Sequence, residues 1–554
     1  MDNNDFWQGK YPNNIARQID TQAYATIIEL FKDACVKYAN KPAFSNLGHT
    51  LTFADVDKYS ASFAAWLQRN TDLKIGDRIA IQLPNMLQYP IAVFGALRAG
   101  LVVVNTNPLY SLRELENQFK DSDCKAVVTL ESLARNIQEV LPQTNIRHLI
   151  ISQAGDLLPL TKRLFINHIV KYLKHKIPRY QLPDAVRFAD ILKTPPHKFK
   201  EVTLSANNIA VLQYTGGTTG IAKGAVLTHS SITSNMLQTF AFLSTSLQVG
   251  RETMVCPLPL YHVFAFGLSC MGMMLGIHTV LITDPRQTND LINELKKYRF
   301  TSIMGINSLF VSLLNHPDIK TVDFSSLKLT IAGGSLIQPH VAEHWQQVTG
   351  CKICEGYGMT EASPVIAMNP PLAIQTGTIG LPVPNTSIRI VGDDNQDCPL
   401  GECGELWVKG PQVMKGYWRH AQATADTITF DGWLKTGDIA QIQADGYLRI
   451  VDRKKDIITI GGFNVYPNEI ESVVGQHPAI IECAAVGMID EQGNEAIKLF
   501  IVRKDAQLTE NQLQDYLLGQ LATYKIPHQI VFVDNLPKSP IGKILKRELK
   551  VNSP

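Results

Sequence analysis

The chain has 554 residues, of which 45% are hydrophobic and 18% are charged. This balance is typical of a globular protein and excludes disordered, collagen-like and disulfide-scaffold classes. Lysine and arginine number 52 against 50 aspartates and glutamates, so the net charge of +2 provides no basic field for nucleic acid. At about 150 residues per domain, the length predicts three to four structural units.

The amino terminus and the cysteines indicate the compartment. The first residues are polar and acidic and lack the basic and apolar regions of a secretory signal. Nine scattered cysteines, an odd number, favour a cytoplasmic protein with free thiols. Cys351 and Cys354 form a C-x-x-C pair, and Cys398 and Cys403 follow. A zinc site would require both pairs to converge, and we expect buried structural thiols instead.

Helical and strand patterns alternate through the first 150 residues. Residues 24–38 have helical periodicity, whereas apolar runs indicate strands at 78–83, 100–104, 125–130 and 148–152. Strands that alternate with helices predict parallel sheets covered on both faces. The expected fold class is therefore α/β.

Residues 162–200 form a basic segment with ten lysines and arginines against Asp184 and Asp190. Residues 164–173 within it predict an amphipathic helix. One interpretation is contact with an anionic membrane surface. The other is a solvated helix with a basic face, and the sequence leaves both open.

Residues 253–283 contain no charged side chain and are long enough for a membrane span. Pro257 and Pro259 interrupt the first third, and Gly276 and His278 divide the rest. A buried helix followed by a buried strand, lining a pocket, fits this pattern better than a span.

The character of the chain changes near Asp452, where residues 449–456 predict a charged connector after a strand. About 100 residues with their own helix and strand patterns follow. We therefore predict a large domain over 1–451 and a small carboxy-terminal domain over 452–554, joined by a short hinge.

The strongest local signal is a glycine- and threonine-rich loop after the apolar run 209–212. Glycines let backbone N–H groups turn toward a phosphate, threonine hydroxyls donate further bonds, and a lysine adds charge. It is not a P-loop, because Lys223 follows Ala222 rather than glycine. The candidate phosphate-binding residues are Tyr214, Thr215, Gly216, Gly217, Thr218, Thr219, Gly220, Ile221, Ala222, Lys223, Gly224 and Ala225.

This loop resembles the phosphate loop of the adenylate-forming enzymes, which include acyl-CoA synthetases, adenylation domains of peptide synthetases, and luciferases. Further motifs follow in that family's order, at 331–335, 356–361, 436–438, 452–456 with 461–467, and 537–543. The likeness is greatest to bacterial long-chain fatty-acid–CoA ligases and covers nearly the whole chain. It implies a large multi-sheet α/β domain and a small, mobile α+β domain.

The resemblance also implies roles for single residues in adenylation. Glu361 would hold Mg²⁺, and Thr360 would lie beside the α-phosphate of ATP. Asp438 would accept hydrogen bonds from the ribose hydroxyls, and Arg453 would contact ribose or phosphate. The residues expected around adenine are Ala332, Gly333, Gly334, Tyr357 and Gly358.

Lys543 would bridge the substrate carboxylate and the α-phosphate, and would then leave so that the thiol of CoA can enter. Asp452 is the candidate pivot of this movement, and Gly461 and Gly462 would border the pantetheine tunnel. His262 would lie near the reacting carboxylate, and Phe266 would form an aromatic gate to the acyl tunnel.

The resemblance implies a ligase that uses ATP, Mg²⁺, CoA and a long-chain fatty acid, and whose acyl-CoA product feeds fatty-acid degradation or lipid synthesis. Residues 253–283 offer no carboxylate for an α-ammonium group, which disfavours amino-acid substrates. An acyl-AMP ligase that loads a separate carrier protein and a non-catalytic, membrane-associated fatty-acid carrier are the alternatives. Relatives commonly dimerise, so a homodimer is left open, as is a peripheral location on the cytoplasmic face of the membrane.

Overall fold

The structure is a computed structural model that describes residues 6–7, 9–170, 177–215, 222–490, 493–539 and 542–551. It confirms the α/β class, with a large amino-terminal part of several sheets and a small carboxy-terminal part. The α-helices of the described residues are, in chain order, α1 (Ile27–Lys37), α2 (Phe53–Asn70), α3 (Gln88–Arg98), α4 (Leu112–Ser122), α5 (Ala134–Val140), α6 (Leu160–His168), α7 (Phe188–Ile191), α8 (His229–Leu243), α9 (Val263–Met274), α10 (Thr288–Leu295), α11 (Asn307–Leu314), α12 (Pro339–Thr349), α13 (Ala421–Thr427), α14 (Pro467–Val474), α15 (Glu510–Leu518) and α16 (Lys546–Val551).

The strands of the same residues are, in chain order, β1 (Pro42–Asn46), β2 (His49–Thr52), β3 (Arg78–Gln82), β4 (Val102–Asn105), β5 (Cys124–Leu130), β6 (His148–Ser152), β7 (Val186–Arg187), β8 (Ile209–Thr215), β9 (Lys223–Thr228), β10 (Thr253–Cys256), β11 (His278–Leu281), β12 (Ser302–Gly305), β13 (Leu329–Ala332), β14 (Ile353–Gly358), β15 (Val365–Met368), β16 (Leu381–Pro382), β17 (Ser387–Val391), β18 (Gly404–Lys409), β19 (Leu434–Ile442), β20 (Leu448–Arg453), β21 (Ile458–Ile460), β22 (Phe463–Val465), β23 (Ile480–Ile489), β24 (Glu495–Arg503) and β25 (Gln529–Phe532).

A seven-stranded sheet has the order β7-β6-β5-β3-β4-β8-β9 and is parallel except for the β8–β9 hairpin. The four strands predicted in the first 150 residues and the apolar run before the phosphate loop all belong to it, as β3, β4, β5, β6 and β8. Their apolar runs are buried on both faces, as expected for a covered parallel sheet.

A nine-stranded sheet has the order β16-β15-β14-β13-β12-β10-β11-β1-β2. It contains the predicted buried strand of residues 253–283 as β11, which follows the predicted buried helix α9. The first residues of that segment form β10, a strand that the sequence analysis missed because two prolines follow it closely. Within the described residues, no helix is both long and apolar enough to cross a bilayer.

A four-stranded antiparallel sheet, β17-β18-β19-β20, comes next in the chain and is followed by a two-stranded and a three-stranded sheet. One large hydrophobic core joins the two largest sheets, whereas two smaller cores use only residues after 457. The predicted connector is regular structure: β20 runs through Asp452 to Arg453 and a 3-10 turn follows. The boundary between 451 and 452 stays a prediction.

Three local expectations need correction. The first helix begins at Ile27 rather than residue 24, because the Thr26 hydroxyl caps it by accepting the N–H of Glu29. The helix of the basic segment begins at Leu160, earlier than predicted, and residues 171–176 at its predicted end lie outside the described residues. Cys351 and Cys354 are buried as expected, but Cys403 is exposed.

Candidate active site

The phosphate loop is the turn of the β8–β9 hairpin. Thr215 pairs with Lys223 and Tyr214 with Gly224 at the two ends of this turn. The Tyr214 hydroxyl donates to the Asp121 carboxylate at 2.5 Å, which fixes the base of the hairpin. The tip, residues 216–221, lies outside the described residues, so the predicted phosphate contacts of those residues stay predictions.

Glu361 lies in a 3-10 turn after β14 and is 6% exposed. The Tyr417 hydroxyl donates to its carboxylate at 2.6 Å, and the ammonium of Lys223 lies 5.6 Å from the centre of the Tyr417 ring. Burial raises the pKa of the Glu361 carboxyl, although the Tyr417 hydrogen bond opposes this shift. Thr360 is buried beside Glu361 in the same turn.

The predicted adenine residues meet at the carboxyl ends of β13 and β14, which are parallel neighbours. A side chain on Gly333 would approach the backbone oxygen of Gly356. A side chain on Gly358 would overlap the backbone oxygen of Pro364 at 2.0 Å, so only glycine fits there. The surface at these strand ends therefore consists of backbone atoms and the ring of Tyr357.

Asp438 on β19 lies opposite Arg453 on β20. The Tyr357 hydroxyl donates to one Asp438 oxygen at 2.5 Å, and Arg453 Nε lies 3.4 Å from the other. Asp438 is only 9% exposed. The Asp438 carboxylate therefore lies between the Tyr357 hydroxyl near the end of β14 and the Arg453 guanidinium at the end of β20.

Lys543 reaches the same place from the carboxy-terminal part of the chain. Burial lowers the pKa of its ammonium to about 8; the charge of Arg453 adds to this shift and that of Asp438 opposes it. Burial, with a smaller contribution from the Lys543 charge, lowers the pKa of His262 to about 4. Asp438 and Arg453 are therefore near enough to Lys543 to affect its pKa, and Lys543 is near enough to affect that of His262.

The turn that carries Lys543 is tied to helix α11. The Ser308 hydroxyl donates to the backbone oxygen of Gly542 at 2.9 Å. Gly542 has a φ of +84°, and a side chain there would meet Ser308 and Ile306 at less than 3 Å. Glycine is thus required both by the conformation and by the close approach.

An apolar cavity of about 20 Å³ begins one helical turn beyond His262, the residue that caps α9. It lies between α3 and α9 and holds no more than about one water-sized sphere. Phe266 is in its wall, as the gate assignment requires. The helical residues that line it are Tyr89, Pro90, Val93 and Phe94 on α3, and Phe266, Ser269, Cys270 and Met273 on α9.

The predicted hinge and thioester residues lie elsewhere. Asp452 is 2% exposed, accepts the N–H of Asn468 at 2.8 Å, and has a pKa raised by burial. Gly461 and Gly462 form the exposed turn between β21 and β22, both with positive φ. Apart from their chain neighbours, no atom of the described residues lies within 4 Å of a Cβ built on either glycine.

The sequence analysis missed Tyr417 and Ser308. Tyr417 follows a glycine in a Gly-Tyr-Trp run, which alone resembles ordinary core aromatics. Ser308 is one hydroxyl near the start of an apolar helix. Neither had a spacing signal, because their partners are 56 and 234 residues away in the chain.

The chain is similar to known families and proteins. The profile of a family described as AMP-binding enzyme matches residues 31–418, and that of the AMP-binding enzyme C-terminal domain matches residues 469–543. A long-chain-fatty-acid–CoA ligase of Yersinia pestis is 47% identical over 547 residues, covering 98% of this chain and 97% of that protein.

Solved structures are similar as well. The anthranilate CoA ligase AuaEII, in complex with anthranoyl-AMP, superposes with a TM-score of 0.85 at 23% identity, covering 96% of this chain and 98% of that one. ATP-bound MatB from Rhodopseudomonas palustris superposes with a TM-score of 0.81 at 27% identity, covering 95% of this chain and 98% of that one.

A second buried carboxyl, Glu355, lies on β14 two residues before Tyr357 and is 4% exposed. It accepts the N–H of Gly377 at 3.2 Å. Burial raises its pKa from 4.5 to about 7, with the backbone hydrogen bonds opposing the shift. Because the folded state holds this proton more tightly than the unfolded chain, ionisation of Glu355 destabilises the fold as the pH rises from 4.5 to 7.

Glu355→Gln should therefore raise the melting temperature at pH 8, where the ionised carboxylate costs up to about 3 kcal/mol. The difference from the wild type should shrink as the pH falls from 7 toward 4.5. Thermal denaturation across this range measures it, with the exposed Glu402→Gln as control. A Glu355→Gln effect that stays the same at all these pH values would contradict the raised pKa.

Proposed function

The chain belongs to the family of AMP-binding enzymes, and from this premise we infer that it is a long-chain fatty-acid–CoA ligase. It activates a fatty acid with ATP to acyl-AMP and pyrophosphate, and then transfers the acyl group to CoA with release of AMP. The observation that carries the proposal is that the Lys543 ammonium, which is affected by the charges of Asp438 and Arg453, also affects His262, the cap of the helix that lines the apolar cavity. Nucleotide and acid would meet at this point.

The first half-reaction requires two anions to approach, so positioning and charge neutralisation dominate. An oxygen of the fatty-acid carboxylate attacks the α-phosphorus, and the bond to pyrophosphate breaks. The Lys543 ammonium would lie between carboxylate and α-phosphate, with Thr360 beside the phosphate. Asp438 would accept the ribose hydroxyls, while Thr215, Lys223 and the hairpin tip hold the β- and γ-phosphates.

The Glu361 carboxylate fits Mg²⁺, since magnesium in such sites takes one or two carboxylates and completes its shell with substrate phosphates and water. The carboxylate is buried and faces the lysine of the phosphate hairpin through Tyr417. When bound with ATP, the ion would neutralise phosphate charge. Glu361 itself would supply one oxygen ligand.

The second half-reaction requires the lysine to leave. The CoA thiol attacks the acyl carbonyl, and the bond to AMP breaks. We propose that the small part of the chain turns about Asp452 so that Gly461 and Gly462 approach the site. The separate cores after residue 457 support this movement, since it would leave their packing intact.

The apolar cavity supports an alkyl substrate. Its helical lining contains no charged side chain, and each buried CH₂ contributes about 0.8 kcal/mol. The cavity is too small for a long chain, so binding requires its side chains to shift. Met273, an unbranched side chain at the far end, suits such a change of shape.

Incubation with Mg²⁺-ATP, with and without CoA, tests the function. We expect CoA-dependent AMP release with palmitate and formation of palmitoyl-CoA. Palmitate should be preferred over octanoate, since eight methylenes offer at most about 6 kcal/mol, and acetate should be the poorest. Acyl-AMP without thioester would instead indicate a carrier-loading ligase, and no ATP turnover would indicate a non-catalytic carrier.

Lys543→Ala should slow acyl-AMP formation at least about 100-fold yet leave thioester formation from supplied acyl-AMP. In the wild type, adenylation should fall as the pH rises through about 8, because the neutral amine no longer bridges the anions. Lys543→Arg stays charged, so its adenylation rate should not show this fall with rising pH. Stopped assays of each half-reaction measure both effects, and Lys538→Ala is the control. Equal loss of both half-reactions would contradict the assignment.

We also propose that α6 docks on an anionic membrane surface, where fatty acids partition. Leu160, Leu164 and Phe165 are 69%, 63% and 64% exposed. Leu160 and Leu164 are one helical turn apart on one face, and Phe165 follows Leu164 about 100° around the helix. Lys162 and Arg163 lie on the same helix, and the basic segment 162–200 continues after it. An apolar face flanked by cations is typical of an interfacial helix.

Replacing Leu160, Leu164 and Phe165 by serine should reduce sedimentation with phosphatidylglycerol vesicles at least about tenfold, since one buried side chain of this kind contributes about 1.5–3 kcal/mol. Serine at the scattered exposed positions Val36, Leu372 and Leu400 is the matched control. Equal sedimentation of both triple variants and the wild type would exclude α6 as the docking element.

A further inference from the structure

Residues 414–418 form a short strap along the phosphate hairpin. The backbone N–H of Lys415 donates to Val226 and that of Val226 donates to Gly416, at 3.0 and 2.9 Å. The N–H of Trp418 donates to Gly224 at 2.8 Å. The strap thus extends the sheet at β9, the strand that begins with Lys223.

The other side of the strap holds the turn that carries Glu361. The backbone N–H of Met414 donates to the backbone oxygen of Glu361 at 2.8 Å. The Tyr417 hydroxyl donates to Glu361 Oε1 at 2.6 Å. One segment therefore fixes both the backbone and the carboxylate of Glu361.

The Tyr417 ring also contacts the cation of the hairpin. Lys223 Nζ lies 5.6 Å from the ring centre, within the range of a cation–π interaction. A single side chain thus touches Lys223 with its ring face and Glu361 with its hydroxyl. These are the groups assigned above to the phosphates and to Mg²⁺.

The strap has little freedom to move. The backbone N–H of Tyr417 donates to Thr424 Oγ1 at 2.8 Å. The indole N–H of Trp418 donates to the backbone oxygen of Asp121, whose carboxylate also accepts the Tyr214 hydroxyl. Gly416 has a φ of +142°, and a side chain there would meet Thr424 at 2.7 Å.

We propose that Tyr417 is a positioning residue that couples the magnesium-binding carboxylate to the phosphate hairpin. This inference rests on the proposed function, because it takes Mg²⁺-ATP as the ligand. A donor on Oε1 fixes the rotation of the Glu361 carboxylate and hence the direction of its second oxygen. The ring holds the Lys223 ammonium at the same time, so cation and carboxylate meet the triphosphate in one fixed relation.

The test separates the two contacts with two variants. Tyr417→Phe keeps the ring and removes the hydroxyl, whereas Tyr417→Leu removes both. Binding of α,β-methylene-ATP, which cannot release pyrophosphate, is measured by calorimetry in EDTA and over a series of Mg²⁺ concentrations. Tyr24→Phe, which removes an exposed tyrosine–carboxylate bond to Asp33, is the matched control.

In the wild type, the affinity for the analogue should rise with Mg²⁺. Tyr417→Phe should require about tenfold more Mg²⁺ for half of this rise, as expected for a lost hydrogen bond to a charged group, with unchanged affinity in EDTA. Tyr417→Leu should in addition lose about two- to fivefold affinity in EDTA, since the ring no longer holds Lys223. Tyr24→Phe should match the wild type.

An unchanged Mg²⁺ requirement in Tyr417→Phe would overturn the proposal. Equal loss of affinity with and without Mg²⁺ in that variant would also overturn it, because that pattern indicates general loosening of the site. If the affinity of the wild type for α,β-methylene-ATP did not depend on Mg²⁺, the role of magnesium in the proposed function itself would be contradicted. The failure of that function and the failure of this inference therefore give different results.

Discussion

The burial of the Lys543 ammonium between the large and small parts of the chain is the contact on which this arrangement depends. Burying a cation is costly unless opposite charge lies near, and Asp438 supplies it while Arg453 and Lys455 oppose. As a result, the pKa of Lys543 is lowered and the negative charge around its ammonium does not compensate for its burial. A fatty-acid carboxylate and an α-phosphate would supply negative charge there, so the site would favour the substrates of the proposed reaction.

The same contact also limits how long the arrangement can last. In the proposed mechanism, a lysine between acid and phosphate would obstruct the incoming thiol once acyl-AMP has formed. The hydrogen bond from Ser308 to Gly542 is a single neutral contact, and such bonds contribute only about 0.5–1.5 kcal/mol. Asp452, buried and bonded to Asn468, lies where β20 passes from one core to the next. In the proposed movement, the Ser308–Gly542 contact would act as a weak latch and Asp452 as a firmly bonded pivot.

Much of the fold could be predicted because it depends on local patterns. Buried parallel strands are continuous apolar runs, and the strands predicted before the phosphate loop fall in one sheet. Phosphate binding by the loop could be predicted because its glycines and threonines fall within twelve residues. Strand β10 was missed, since prolines after a short strand look like an irregular segment. Helix starts were misplaced where a cap, such as Thr26, decides the first residue.

The candidate site was predictable only where a motif carries its own chemistry. Tyr417 and Ser308 act through partners far away in the chain, and a tyrosine or serine alone carries no such information. The apolar cavity was still harder to predict, because its walls come from α3 and α9, and no spacing in the sequence indicates that these two helices pack together. Under the proposed function, its depth would depend on how far Phe94 and Met273 shift when an acyl chain binds. Chain-length preference would then be a property of packing between two helices, which sequence patterns on either helix do not contain.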